Sequence, residues 1–90
     1  MPTVRIPTPL RSLTGGESRV DVDADTVGAL VQQLEADYPG MAERLLDAEG
    51  ELRRFVNIYV DGDDIRFKDG FDTALDGVGE VSIVPSVAGG

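Results

Sequence analysis

A single stretch of this chain carries the period of a long helix, and strand-like segments lie on both sides of it. Val27, Leu30, Val31 and Leu34 fall at i, i+3, i+4 and i+7, which puts them on one apolar stripe of an α-helix. Thr26 stands where an N-cap belongs, its hydroxyl able to accept from an orphan backbone N–H of the first turn. Pro39-Gly40 stops the helix just after Tyr38. Met41, Leu45 and Leu46 predict a short extra helical turn, and residues 47–54 read as an exposed connection.

The flanks alternate with period two. Val4 and Ile6 alternate with Thr3 and Arg5, a short half-buried strand ending near Pro7 and Pro9. Thr14-Gly15-Gly16 is a turn signal, and Val20 and Val22 then read as the second arm of a hairpin. After the helix, Phe55–Val60 is the strongest strand, with Val56, Ile58 and Val60 on one face. Asp61-Gly62 breaks it into a tight turn, Ile65–Phe67 is expected as a brief edge strand, and Asp69-Gly70 turns again. Leu75 is expected to anchor the loop before Asp76-Gly77. A last strand is expected over Glu80–Val84, with Val81 and Ile83 inward. A hairpin, a crossing helix and further strands make an α+β sandwich of one sheet and one helix. That order permits parallel pairing of the first and last strands, although periodicity alone leaves other small α+β folds open.

Ninety residues form one domain with one modest core. The organisation expected is a domain over residues 1–84 and a tail over residues 85–90. No apolar run approaches the ~20 residues of a membrane span, and no secretory signal is visible, so a cytoplasmic location is the default. The chain has no Cys and no His. That removes the commonest metal ligands, the thiol nucleophile and the usual base near neutral pH. Seventeen acids against eight bases give a net charge of −9. Such a balance argues against binding a phosphate backbone or an anionic membrane. It favours solubility and, secondarily, encounter with a basic partner surface.

The chain ends Val84-Pro85-Ser86-Val87-Ala88-Gly89-Gly90. A terminal Gly-Gly alone can be an uninformative frayed end. Directly after the last strand of such a domain it carries more weight. The block Arg54–Arg66, the closing segment Gly79–Gly90 and the helix opening Asp25-Thr26-Val27-Gly28 together resemble the MoaD and ThiS sulfur carriers. These share the ubiquitin-like β-grasp fold, a mixed sheet with one main crossing helix. Ile6–Arg11 and the helical insert near Met41 are most similar to the actinobacterial CysO-type branch, which feeds a cysteine synthase.

The resemblance implies a carrier, not an enzyme, and no stably bound cofactor or metal. A ThiF/MoeB-like activating enzyme would use MgATP to adenylate the Gly90 carboxylate. A sulfur donor, rhodanese-like or a sulfide source, would then leave a thiocarboxylate. A downstream synthase would take that sulfur into cysteine, a thiosugar, a thiazole, molybdopterin or a thionucleoside. In this reading Gly89, Ala88 and Val87 are the residues the activating enzyme grips. A terminal carboxylate needs no base of its own, and glycine at the end gives a slender thread able to take unusual backbone angles.

If Val81 and Ile83 face inward, Ser82 and Val84 face outward. Val84, Tyr59 and Phe55 then form a candidate docking patch near the tail; the competing reading puts Phe55 or Tyr59 in the core or under the 47–54 loop. Asp61-Gly62-Asp63-Asp64 lacks the spacing of a calcium loop and reads as a solvated turn. Arg53-Arg54 is a candidate contact point or plain surface. Lys68 is the sole lysine and the only side-chain acceptor for chains of the ubiquitin kind. Two alternatives therefore stand beside the carrier: a protein modifier joined through Gly90 to target lysines, and a non-covalent β-grasp binding module.

Overall fold

In a computed structural model, residues 2–85 are described. The first strand, β1 (Thr3–Arg5), pairs antiparallel with β2 (Arg19–Asp21). The connection between them is a 3₁₀ turn over Thr8–Thr14 that the sequence reading did not include. Pro7 and Pro9 fix the backbone entering it. Leu10 and Thr14 are buried, and the Thr14 hydroxyl donates to the Glu17 carbonyl at 2.7 Å, closing the loop on itself.

The main helix, α1 (Val27–Asp37), begins where the sequence places it, with Thr26 Oγ1 accepting from the Ala29 N–H at 3.2 Å. Its stripe of Val27, Leu30, Val31 and Leu34 is buried. Gly28 lets this end of α1 lie close to Phe71, since a Cβ there would stand 3.3 Å from the Phe71 carbonyl oxygen. The Pro39-Gly40 break leads into α2 (Met41–Leu45). Glu35 reaches over from α1, its carboxylate accepting from the Gly40 and Ala42 N–H groups, the latter at 2.8 Å. It supplies the cap that Gly40 cannot. Met41 and Leu45 are wholly buried. The 47–54 connection is largely exposed but pinned by a bridge between Leu46 and Leu52, both partly buried.

The chain returns through β3 (Val56–Val60), turns at Asp61-Gly62 and forms the two-residue β4 (Asp63–Asp64). The brief strand expected over Ile65–Phe67 is instead a 3₁₀ turn, and the edge strand is Asp63–Asp64. The Asp64 carboxylate accepts from the Arg66 N–H at 2.8 Å, a local bond that competes with a sheet ladder. A strand would put Ile65 and Phe67 on one face, whereas the turn buries Ile65 and leaves Phe67 89% exposed. A second 3₁₀ turn (Gly70–Asp72) follows, and Leu75 is buried where the sequence expects an anchor.

The last strand, β5 (Glu80–Pro85), lies between β1 and β3 in a five-stranded sheet of order β2-β1-β5-β3-β4. It runs parallel to β1 and antiparallel to β3. One helix crossing a mixed sheet with its first and last strands parallel and central is the β-grasp fold. Val4, Val20, Val56, Ile58, Val60, Val81 and Ile83 form the inner face, buried in one cluster with α1 and α2.

Pro85 pairs with Val56, so β5 runs one residue past the expected Val84. The pairing pattern explains why a proline is tolerated. Asp61 N–H donates to the Glu80 carbonyl, and Thr3 N–H donates to the Gly79 carbonyl. Even-numbered residues of β5 therefore direct their amide groups to β3 and odd-numbered ones to β1. β1 ends at Arg5, opposite Ser82. The N–H that Pro85 lacks would have pointed into a stretch with no neighbouring strand.

Candidate functional site

The outer face of the sheet is read from its pairing. Arg19 lies opposite Arg5, Arg5 opposite Ser82, Ser82 opposite Tyr59 and Tyr59 opposite Asp64, making one row across all five strands. On one side of it Asp21, Thr3 and Glu80 form a second row, in which the Thr3 hydroxyl donates to Asp21 Oδ1 at 2.8 Å. On the other side Val84 faces Asn57, one step nearer the end of β5. Tyr59 and Val84 are thus diagonal neighbours on adjacent strands, at a separation that an aromatic side chain spans.

The three candidate patch residues are not equivalent. Val84 is 43% exposed and Phe55 54%, while Tyr59 is half-buried. β3 begins at Val56, not at Phe55. Phe55 sits in the turn before the strand, where Val56 N–H donates back to the Arg53 carbonyl at 3.0 Å. It is neither in the core nor buried under the 47–54 loop. The structure brings Tyr59 and Val84 together on one face and leaves Phe55 at the margin of that face.

Arg66 fixes this margin, a role the sequence reading missed. Its guanidinium donates to Asn57 Oδ1 at 2.7 Å and to the carbonyls of Val56 and Arg53 at 2.9 and 3.0 Å. Planar donors suit such multiple acceptors, and the effect is to clamp the turn that carries Phe55 against the 3₁₀ turn at Ile65–Phe67. Phe67, the most exposed large apolar side chain among the described residues, was also missed because the segment reads as a strand.

The acidic turn at residues 61–64 is structural. Asp61, with φ of 48°, accepts from the Glu80 N–H at 3.0 Å through Oδ1, while Asp64 caps the turn that follows. Lys68 Nζ lies 3.8 Å from Asp63 Oδ2 on the surface. Arg53 and Arg54 are exposed; Arg53 Nε donates to the Glu43 carbonyl at 3.1 Å. Gly90, Gly89, Ala88 and Val87 lie outside the described residues. No helix among those described is long and apolar enough to cross a membrane.

Residues 4–90 match the model of the ThiS family. The chain is 51% identical over 90 residues to the sulfur carrier protein CysO of Mycobacterium tuberculosis, covering 98% of this chain and 97% of the relative. It is 45% identical over 83 residues to small archaeal modifier protein 3 of Haloferax volcanii, covering 89% and 88%. A chain in the crystal structure of the Amycolatopsis orientalis BexX/CysO complex superposes with a TM-score of 0.90 at 41% identity, with both chains covered completely. With this fold and this likeness along almost its whole length, the chain belongs to the ThiS family of ubiquitin-like proteins.

Proposed function

We propose that this protein is a sulfur carrier that works through the carboxylate of Gly90 and is a co-substrate of other enzymes, not itself an enzyme. The observation that carries the reading is the full-length likeness to a CysO sulfur carrier, in a chain whose last strand leads at Pro85 into a segment ending Gly-Gly. Residues beyond β5 serve as the tail, with Gly89, Ala88 and Val87 gripped by a ThiF/MoeB-like activating enzyme. That enzyme uses MgATP as its co-substrate, and a cytoplasmic location fits that need.

The chemistry needs nothing from the folded body except presentation. A carboxylate is a poor acyl donor because its leaving group would be oxide. One Gly90 carboxylate oxygen attacks the α-phosphorus of ATP, and pyrophosphate leaves. The resulting acyl-adenylate is attacked at carbon by a sulfide-equivalent donor. The C–S bond forms as the bond to AMP breaks, and the thiocarboxylate remains for a sulfur-accepting synthase. Holding the terminus in line with the nucleotide is worth several orders of magnitude in rate, and a bulky residue at position 89 would prevent it.

Transfer of label from the α-phosphate of ATP to the protein, with the cognate activating enzyme, tests the reading. Gly89→Phe is expected to cut adenylation roughly a hundredfold or more while leaving the melting curve unchanged. Normal adenylation of that variant would count against tail threading.

A second reading rests on the likeness to small archaeal modifier protein 3. The same activated terminus could pass to a lysine of another protein, and higher-mass conjugates isolated from cells would favour that fate.

A further inference from the structure

The protein carries seventeen acids against eight bases, yet one groove on its surface collects arginines and no acid. Arg5, Arg11 and Arg19 line a groove of about 600 Å³ together with Ser82–Pro85 of β5, and neither Asp nor Glu contributes to its walls. Three of the eight bases of the chain thus converge beside the strand that leads into the tail.

The charge there is poorly compensated within the described residues. Arg5 and Arg19 are direct cross-strand partners, an arrangement that is unfavourable for the isolated chain. Arg5 has one acid nearby, Glu80 at 3.9 Å, with both side chains about half exposed, and such a contact contributes little. Arg11 uses its Nε to donate to the Ile6 carbonyl at 3.0 Å. That bond orients the guanidinium and leaves its terminal nitrogens free of any bond among the described residues. Arg19 has no ion pair among those residues. Among the described residues the cluster has one weak acidic partner, which suits it to an anion brought by a partner.

The groove also shows what kind of anion. Beyond Ser82 the side of β5 that faces β1 has no neighbouring strand, while its other side stays paired with β3. Pro7 and Pro85, which both line the groove, have no N–H to offer. Phosphate sites lean on converging backbone N–H groups, and these two lining residues cannot contribute one. A groove with guanidinium walls and apolar Val84 and Pro85 suits carboxylates spaced along an extended chain, each met by an arginine fork.

We propose that this groove receives an extended acidic segment of the activating enzyme, guiding the tail that leaves at Pro85. The proposal rests on the carrier reading for the identity of its partner. It also revises what net charge implies. The partner surface is acidic at this contact, because three arginines line the groove and the one acid paired with them among the described residues is Glu80, 3.9 Å from Arg5.

Two measurements test it. In the first, the isotope-labelled chain is titrated with a short oligoglutamate peptide blocked at both ends, and separately with inorganic phosphate. Saturable amide shifts at Arg5, Arg19 and Ser82–Val84, absent in Arg5→Glu/Arg19→Glu, are expected with the peptide. Absent or scattered shifts would overturn the proposal, as would phosphate producing the same shifts at lower concentration. In the second, adenylation by the activating enzyme is followed against carrier concentration. Arg5→Glu/Arg19→Glu is expected to raise KM roughly tenfold with kcat unchanged, and Arg5→Lys/Arg19→Lys to recover most of the loss. An unchanged KM in a variant that melts like the parent would refute the docking role. If the parent chain is never adenylated, the carrier reading fails, and the peptide titration alone decides the groove.

Discussion

Along β5, Val81 and Ile83 are buried beneath α1, while Ser82 and Val84 on the same strand look outward, Val84 with 43% of its surface exposed. The same alternation runs through β1, where Val4 is buried and Arg5 exposed, and through β3, where Ile58 is buried and Asn57 and Tyr59 are partly covered. One face of the sheet is therefore a continuous aliphatic surface closed by helices. The other is a mosaic of one row that holds Arg19, Arg5 and Tyr59, a second row that holds Asp21 and Glu80, and Val84 beyond them. The inner face stabilises the fold through area removed from water. The outer face contributes little of that kind and is left to determine what approaches the tail.

This contrast can be broken or sharpened by substitution. The largest effect is expected on the inner side: Ile58→Ala empties a fully buried site and should cost about 2–5 kcal/mol in a denaturant titration, with activity falling only as far as the chain unfolds. Arg66→Ala, on the outer side, should cost about 1–2 kcal/mol by removing three hydrogen bonds. An effect confined to docking, with stability untouched, would show that the clamp is functional only. Val84→Asp should leave the melting temperature nearly unchanged yet raise KM for the activating enzyme roughly tenfold; a large loss of stability would erase the distinction between the faces. Thr26→Ala should cost about 1 kcal/mol through the lost N-cap, measured by thermal melt, with no change in KM.

The inner face was legible in the sequence because its signals are local. Val27, Leu30, Val31 and Leu34 announce their stripe within one segment, and Val56, Ile58 and Val60 theirs. The Thr26 cap and the Asp61-Gly62 turn are likewise local. The 3₁₀ turns at Thr8–Thr14 and Ile65–Phe67 were not read. Thr14 and Asp64 set them by side-chain bonds to nearby backbone, bonds that leave no periodic trace. The outer face was legible only in part. Alternation puts Arg5, Arg19 and Val84 outward, but which of them meet is fixed by register between strands far apart in the chain. Thr3 pairs with Asp21 on one side and with Glu80 on the other, and no segment carries that information alone. The arginine groove is a product of that register. Pro85 misled for a related reason, since its tolerance depends on where β1 stops.

The role of the tail turns on whether Gly90 is the sulfur-bearing end of a transfer cycle. The intact mass of the chain, after incubation with the cognate activating enzyme, MgATP and sulfide, decides it. The expected result is an ATP-dependent gain equal to replacing one oxygen by sulfur, localised by fragmentation to Gly90. An unchanged mass, with an enzyme shown to be active on another carrier, would mean that this terminus does not carry sulfur.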